Sequence, residues 1–403
     1  MYTPVESLAD YATRARTWLS QYVGSFSGDA RAHLSPEEDL ALGRQWQRIK
    51  SEAGFACITL PRAVGGGGGS EVQKILFGQE ELKHGFPTEF FGVSLGMPVP
   101  MLLRHGTEEE ISRLVPPAVR GEQIWCQLFS EPAAGSDLAA LRLKAHRDGD
   151  GWRLDGQKLW TSWAHVADWG IIVARTDPSV PKHAGLTFFY LNMKSPGIEV
   201  RRVRKLAGDS EVNEVFFDNV YVPDQQRIGA VGDGFKVAIE TLMIERYSVS
   251  DDSCGGMSLE RFVALAADAR INGCPALDDG EVRRAIADTL VERQGLRSIH
   301  RRALSEIAAG RQPGPEGSIR KLRLARRRQA LGELALDLLG ASGVILDPGK
   351  KPGNDAAWSW IDSPGARIAG GTDEILRNTI AEKVLGLPQD HRPDKGIPFN
   401  QID

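Results

Sequence analysis

The residues best suited to ligand chemistry are concentrated between Trp125 and Arg175, in WCQLFSEPAAGSDLAALRLKAHRDGDGWRLDGQKLWTSWAHVADWGIIVAR. Within it, Glu131-Pro132-Ala133-Ala134-Gly135-Ser136-Asp137 is rich in small residues. Small side chains let backbone N–H and C=O groups approach a ligand closely. Gln127 and Ser130 add polar side chains beside that loop. Trp160-Thr161-Ser162 then offers an indole plane with two hydroxyls, suited to packing on a flat aromatic ring while bonding its polar edge. Taken singly, these features also describe a tight turn and a core tryptophan. It is their conjunction that points to a ligand.

A candidate base lies further on, in Met243-Ile244-Glu245-Arg246. Glu245 follows Ala238, Thr241 and Leu242 at spacings of seven, four and three, which puts it on a small, apolar stripe of a helix. A carboxylate so placed would be partly desolvated, raising its pKa towards the range useful for a base. The plainer alternative is a solvated helix glutamate or an ion pair along the helix.

Metal chemistry finds no support. The four cysteines, Cys57, Cys126, Cys254 and Cys274, form no CxxC pair, and the eight histidines form no HExxH. Dispersed cysteines suit reduced thiols in a cytoplasmic protein. A net charge of -4, with 25% charged residues, lacks the basic excess a nucleic-acid surface requires. The short basic clusters at Arg201, Arg202, Arg204 and Lys205, and at Arg326, Arg327 and Arg328, read as solvated faces. The N-terminus has the pattern of an amphipathic helix, with neither a secretory signal nor a transit peptide. No stretch approaches the ~18 apolar residues of a membrane span. The expectation is a soluble cytoplasmic protein.

The elements that must position these residues follow from periodicity and end signals. With 403 residues and 41% apolar content, two or three domains can fill their cores. Residues 1–122 are expected to form a helical domain. Ser35-Pro36-Glu37-Glu38 and Thr107 with Glu110 are capping boxes. The five glycines at 65–69 are expected to be a flexible loop, because glycine offers no side-chain contacts. Residues 123–229 are expected to form a β domain, with strands near 141–146, 152–154, 169–175, 186–191 and 214–222. Strands succeed strands without helices, so an antiparallel barrel or sandwich is expected. Asp148-Gly149-Asp150-Gly151 marks a hairpin. Residues 230–403 are expected to form a helical bundle, with helices at 235–247, 279–309, 317–339 and 372–385. Gly386 and Pro388 end the last one. Only the two tails are expected to be disordered. Gly229-Ala230-Val231-Gly232-Asp233-Gly234 faintly suggests a dinucleotide fingerprint, but no strand–helix–strand unit surrounds it.

These motifs together closely resemble the acyl-CoA dehydrogenase family, over nearly the whole chain. The resemblance rests on the 125–175 stretch and on Pro61, Glu80-Glu81, Arg120-Gly121-Glu122, Asn213-Glu214-Val215, Val222-Pro223 and Gly232-Asp233-Gly234-Phe235. The closing Gly370-Gly371-Thr372-Asp373-Glu374-Ile375 completes it. It implies an α+β fold: a helical N-terminal domain, a middle antiparallel β domain and a C-terminal four-helix bundle. It also implies FAD as cofactor. Gln127, Leu128, Phe129 and Ser130 would line the isoalloxazine ring, with Trp160, Thr161 and Ser162 against its other contacts. Gly340, Thr372, Asp373 and Glu374 would contact the cofactor, and Ser136, Arg246, Gly370 and Gly371 the substrate.

The reaction so implied is α,β-dehydrogenation of an acyl-CoA, or another pantetheine thioester, to the trans-2-enoyl product, with hydride passing to flavin N5. Electrons would leave to an electron-transfer flavoprotein, and the protein would be a homodimer or homotetramer, or one half of a heterotetramer. Many family members carry the catalytic glutamate just before the Gly-Thr of the closing motif, where this chain has Gly370. Glu245 matches the alternative position of isovaleryl- and long-chain-type members. This vacancy suggests a wider pocket, for a long, branched or cyclic acyl chain. Two further departures are visible. The Arg-x-x-Phe-Gly segment, which in relatives reaches a neighbouring subunit's cofactor, is missing from ADARINGCPAL at 267–277, and Asp337 stands where glutamine is usual before Gly340. They leave open a non-catalytic or half-site subunit of a heteromer, or a flavin monooxygenase or oxidase on the same fold.

Overall fold

Capping chemistry sets the N-terminal helices. They are α1 (Leu8–Ser20), α2 (Pro36–Glu52), α3 (Glu71–Glu81), α4 (Pro98–His105) and α5 (Glu108–Val119). Both expected capping boxes form, Ser35 with Glu38 on α2 and Thr107 with Glu110 on α5, each satisfying two amides that the first turn leaves unpaired. A computed structural model describes residues 6–208, 211–248, 256–308, 314–345 and 356–402. The helices close on an aromatic cluster around Trp46, which is fully buried, with its indole Nε1 donating to Glu81 at 2.8 Å.

The glycine run is not a flexible loop. The amides of Gly66, Gly67, Gly68 and Gly69 donate to the carbonyls of Pro61, Cys57, Leu60 and Ile58. A Cβ on Gly66 would lie 2.3 Å from the Leu60 carbonyl oxygen, and one on Gly67 2.5 Å from that of Gly54. Glycine is needed there because backbone packs on backbone.

The middle sheet comprises β1 (Trp125–Leu128), β2 (Lys144–Asp148), β3 (Gly151–Ser162), β4 (Trp169–Arg175), β5 (Leu186–Asn192), β6 (Ile198–Arg202), β7 (Val212–Pro223) and β8 (Arg227–Ile228). Its order is β6-β7-β3-β2-β4-β5-β8, with β1 on β4. The sheet is mostly antiparallel as expected, but β1 and β2 both pair with β4 in parallel, so it is mixed. Neither parallel pair is consecutive in the chain, as required, since a parallel pair cannot be joined by a tight hairpin. The expected hairpin forms, with Asp148 paired to Gly151. Trp125, Ile171, Val173 and Phe188 pack with α4 and α5, whereas Cys126, Leu128, Ile172, Phe189 and Val215 belong to a second cluster.

After the sheet come α6 (Gly234–Ser248), α7 (Leu259–Asp268), α8 (Gly280–Ala308), α9 (Gly317–Leu339), α10 (Ala356–Ala366) and α11 (Asp373–Thr379), the last continued by a π-helical turn at Ile380–Val384. The glycines before α6 serve packing: a Cβ on Gly234 would fall 2.5 Å from the Thr187 backbone. The chain divides into two compact units. One holds Met1–Arg204, Ser210–Glu245 and Arg392–Asp403, and the other Lys205–Asp209 and Arg246–His391. In the second, Phe262, Ala266, Val282, Leu331, Ala335 and Ala356 form the core between α7, α8, α9 and α10. The segment lacking Arg-x-x-Phe-Gly is a tight hairpin of β9 (Arg270–Ile271) and β10 (Cys274–Pro275). Asn272 and Gly273 turn it with φ of 51° and 83°, the left-handed values such a hairpin requires.

The C-terminal tail is ordered, contrary to expectation. The Phe399 amide donates to Val180 and that of Asn400 to Pro178, both at 2.9 Å. Among the described residues no helix is long and apolar enough to cross a membrane.

The corner after β7 supplies an acid-sensitive contact. Asp224 accepts from Arg227 at 3.0 and 3.1 Å and from the Trp152 indole at 2.7 Å. The Arg227 bonds, aided by Trp152, outweigh burial and hold its carboxyl at about 2. A depressed carboxylate contributes stability that is complete above its unfolded pKa and is lost as pH falls through the folded one. Asp224→Asn is therefore expected to flatten the acid limb of a melting-temperature profile between about pH 4 and 2.

Candidate active site

Strand alternation places the first group of candidate residues. Along β3, Trp152, Leu154 and Lys158 face inwards and are buried. The β3–β7 register then shifts between Lys158 and Thr161, a bulge that re-aims the following side chains. Trp160 at this bulge has φ of 61° and is 57% exposed, while Thr161 beside it is buried. A bulky residue at positive φ is a strained outlier, and such strain persists only where surrounding structure imposes it. Asn213 on β7 helps impose it, donating to the Thr161 carbonyl at 2.9 Å and facing His165 Nδ1 at 3.1 Å. Ser162 is half-buried at the end of β3.

Gln127 and Leu128 end β1, and Phe129 and Ser130 continue it. Leu128 and Phe129 are buried in the core, while Gln127 and Ser130 are half-buried. The Leu159 amide donates to the Ser130 carbonyl at 2.9 Å, so residues 127–130 and 160–162 are brought together. Between them lies an ion pair that sequence reasoning missed. Lys158, fully buried, donates to the Phe129 carbonyl at 3.0 Å and to Glu131 Oε1 at 2.8 Å. Glu131 also accepts from the amides of Arg142 at 2.6 Å and Leu143 at 3.0 Å. Burial pushes the Lys158 amine down to about 8, against the pull of Glu131. The signal was present: a lysine at an inward register of a strand needs a buried carboxylate. Ser136 lies exposed on the loop that this pair anchors.

In the second unit, Gly370 and Gly371 have φ of 68° and 104°, and the Gly371 carbonyl accepts from Lys321 at 2.5 Å. Thr372 caps α11, accepting from the Ile375 amide at 3.3 Å. Asp373 is buried rather than open, its Oδ2 held by Arg367 at 2.6 Å and Arg326 at 3.1 Å. Those two arginines outweigh the cost of burial and lower its pKa. Glu374 is exposed. Gly340 is not brought to this loop. It follows the C-terminal end of α9, nineteen residues beyond Lys321, or roughly 28 Å along the helix. Glu245 and Arg246 lie on the described backbone of α6, but their side chains fall outside the described residues. Among the described residues no cluster of three or more His, Cys, Asp or Glu side chains is placed to hold a metal ion.

Two polar atoms around residues 127–130 and 160–162 have no hydrogen-bond partner in the protein, Gln127 Nε2 and Thr161 Oγ1. Buried polar groups are ordinarily satisfied, so such orphans fit a ligand with a polar edge. With the exposed Trp160 indole, the donors and acceptors present suit a flavin ring.

Comparison with known proteins agrees. Family models for the acyl-CoA dehydrogenase N-terminal, middle and C-terminal domains match residues 12–122, 126–220 and 232–385. Acyl-CoA dehydrogenase IpdE1 of Mycobacterium tuberculosis is 33% identical over 399 residues, covering 96% of this chain and 99% of IpdE1. Acyl-CoA dehydrogenase FadE34 of the same organism is 44% identical over 291 residues, which are 72% of this chain but only 39% of FadE34. Among solved structures, a Tcur3481-Tcur3483 steroid ACAD variant matches with TM-score 0.79 at 25% identity, covering 94% of this chain and 99% of that one. The ChsE4-ChsE5 complex of M. tuberculosis matches with TM-score 0.78 at 25% identity, covering 97% and 99%. The chain belongs to the acyl-CoA dehydrogenase family, FAD-dependent oxidoreductases of lipid metabolism that dehydrogenate acyl-CoA.

The buried pair yields a stability test. Lys158→Met would leave the Glu131 carboxylate buried without its counter-charge, at a cost of about 3–5 kcal/mol. Urea unfolding is expected to show that loss, and adding Glu131→Gln in the same chain to recover part of it.

Proposed function

We propose that the chain dehydrogenates an acyl-CoA between its α and β carbons, with Glu245 removing the α proton. The observation that carries this reading is Gly370, a glycine where many relatives hold the base. Position 245 supports it: α6 runs unbroken from Gly234 to Ser248. Its buried Ala238 and Thr241 precede position 245 by seven and four residues, two turns and one turn of helix. A carboxylate on such a face would be partly desolvated, which raises its pKa towards the range useful for a base.

FAD, when bound, supplies the hydride acceptor and a ribityl hydroxyl to polarise the thioester carbonyl. Gln127, Ser130 and Thr161 would meet its polar edges, Leu128 and Phe129 would back the ring, and the Trp160 indole would cover it. Ser162 would offer its hydroxyl beside them. Thr372, Asp373 and Glu374 would contact a cofactor, and Gly370, Gly371 and Arg246 an acyl group. Ser136, on its exposed loop, would hold the pantetheine tail.

Gly340 and the Gly370 loop, well separated along α9, would serve different cofactor molecules, one of them held by a second subunit. That subunit is either another copy of this chain or a related one, as in the two-component assemblies ChsE4-ChsE5 and Tcur3481-Tcur3483. The likeness to a steroid ACAD favours a large, cyclic acyl group over a short straight one. An electron-transfer flavoprotein would take the electrons.

Glu245→Gln is expected to keep its yellow flavin yet lose on the order of 10²–10⁴ of its turnover, the usual worth of a general base. Bleaching of flavin absorbance by a panel of acyl-CoAs measures it, and ranks the acyl groups in the parent chain. Undiminished bleaching in the variant would remove Glu245 from the mechanism.

A further inference from the structure

We propose that the C-terminal segment 392–402 is a strap that fastens the Ser136 loop, and so sets affinity for the thioester tail of the substrate. Its centre is Arg175 at the end of β4, which is 4% exposed. Each arm of its guanidinium is used. Nε donates to the Leu141 carbonyl at 3.1 Å, Nη2 to Ala139 at 2.5 Å and Nη1 to Lys182 at 3.2 Å. The flat face of the same group lies 3.5 Å from the centroid of the Phe399 ring. A guanidinium stripped of water gains from an aromatic face, about 2 kcal/mol or more when desolvated. Phe399 thus covers the cation whose edges hold the far end of the loop.

A second fastening lies closer to Ser136. Lys182 reaches Asp137, the next residue along, at 2.6 Å and Asp394 of the strap at 2.5 Å. Burial alone would lower the Lys182 pKa, but the two carboxylates outweigh it and raise it. The main chain completes the strap, with Phe399 bonded to Val180, Asn400 to Pro178, and a bridge between Pro181 and Pro398. The 178–182 turn therefore ties the strap to the loop on one side, and Arg175 ties it on the other. Glu131 at the start of the loop also accepts from the amides of Arg142 and Leu143 at its end, which closes the base of the loop but not its tip. Without the strap, Arg175 would lose its aromatic cover and Lys182 one of its two carboxylates, so the bonds of these cations to Ala139, Leu141 and Asp137 would be opened to water and loosened. Re-ordering the loop would then fall to the substrate, at the expense of affinity.

This inference rests on the proposed placing of Ser136 against the substrate, and its test separates the two. Hydrogen exchange of the amides at 135–141 is compared in the parent holoenzyme, in Phe399→Ala/Asp394→Asn, and in the milder Asp394→Asn, together with steady-state kinetics on one acyl-CoA. The double variant is expected to exchange these amides faster and to raise KM on the order of tenfold, with kcat and flavin absorbance unchanged. Asp394→Asn should shift both readouts the same way but less. Unchanged exchange in both variants overturns the strap, whatever the kinetics. Faster exchange at constant KM overturns the strap's link to substrate affinity. A parent chain that turns over no acyl-CoA defeats the proposed function, while exchange still decides whether the strap holds the loop.

Discussion

One buried ion pair organises the first unit. Lys158 and Glu131 join the end of β1, the bulge of β3 and the loop that carries Ser136. Removing two charges from water is costly, and their attraction repays it only when every remaining bond is made. Here most are made: Glu131 accepts from two backbone amides besides the ammonium, and Lys158 donates to a carbonyl besides the carboxylate. Two apolar residues of similar volume would have packed as well. They would not have fixed the direction of the Phe129 carbonyl, nor ended the 131–143 connection at a defined point. The pair contributes geometry more than net stability.

That fixed frame explains how a tryptophan is held at φ of 61°. Backbone strain of this kind costs on the order of 1–3 kcal/mol and relaxes unless both flanks are pinned. Lys158 pins the strand two residues before Trp160, and Asn213 pins the carbonyl one residue after it. The indole is thereby presented to the outside, although it sits on a strand whose inward face is core. A regular, unbulged strand would have placed residue 160 in register with Lys158, facing inwards.

The parts of this structure legible in the sequence are those governed by local chemistry. Capping boxes, helix periodicity and the Gly149-Asp150 hairpin are set by residues three or four apart, and each formed as expected. β1, β6 and the two-residue β8 were missed. The parallel pairings of β1 and β2 with β4 depend on partners far along the chain, which no local pattern encodes. The glycine run at 65–69 misled because composition records what glycine lacks, not what needs the space. Within the candidate site, the motifs located residues 127–130 and 160–162. The bonds by which Lys158 and Asn213 hold them were not legible, because they reach partners at least 25 residues away in sequence.

The closing loop of the second unit is shaped around its glycines. Gly370 and Gly371 both lie at positive φ, the second at 104°, where a side chain meets its own backbone. A glutamate at 370 would have to adopt a left-handed conformation that costs roughly 1–2 kcal/mol. The Lys321 bond to the Gly371 carbonyl, with Asp373 clamped between Arg326 and Arg367, holds the loop in that shape. Backbone, cation and cap are built around glycine, and a side chain at 370 would carry that penalty.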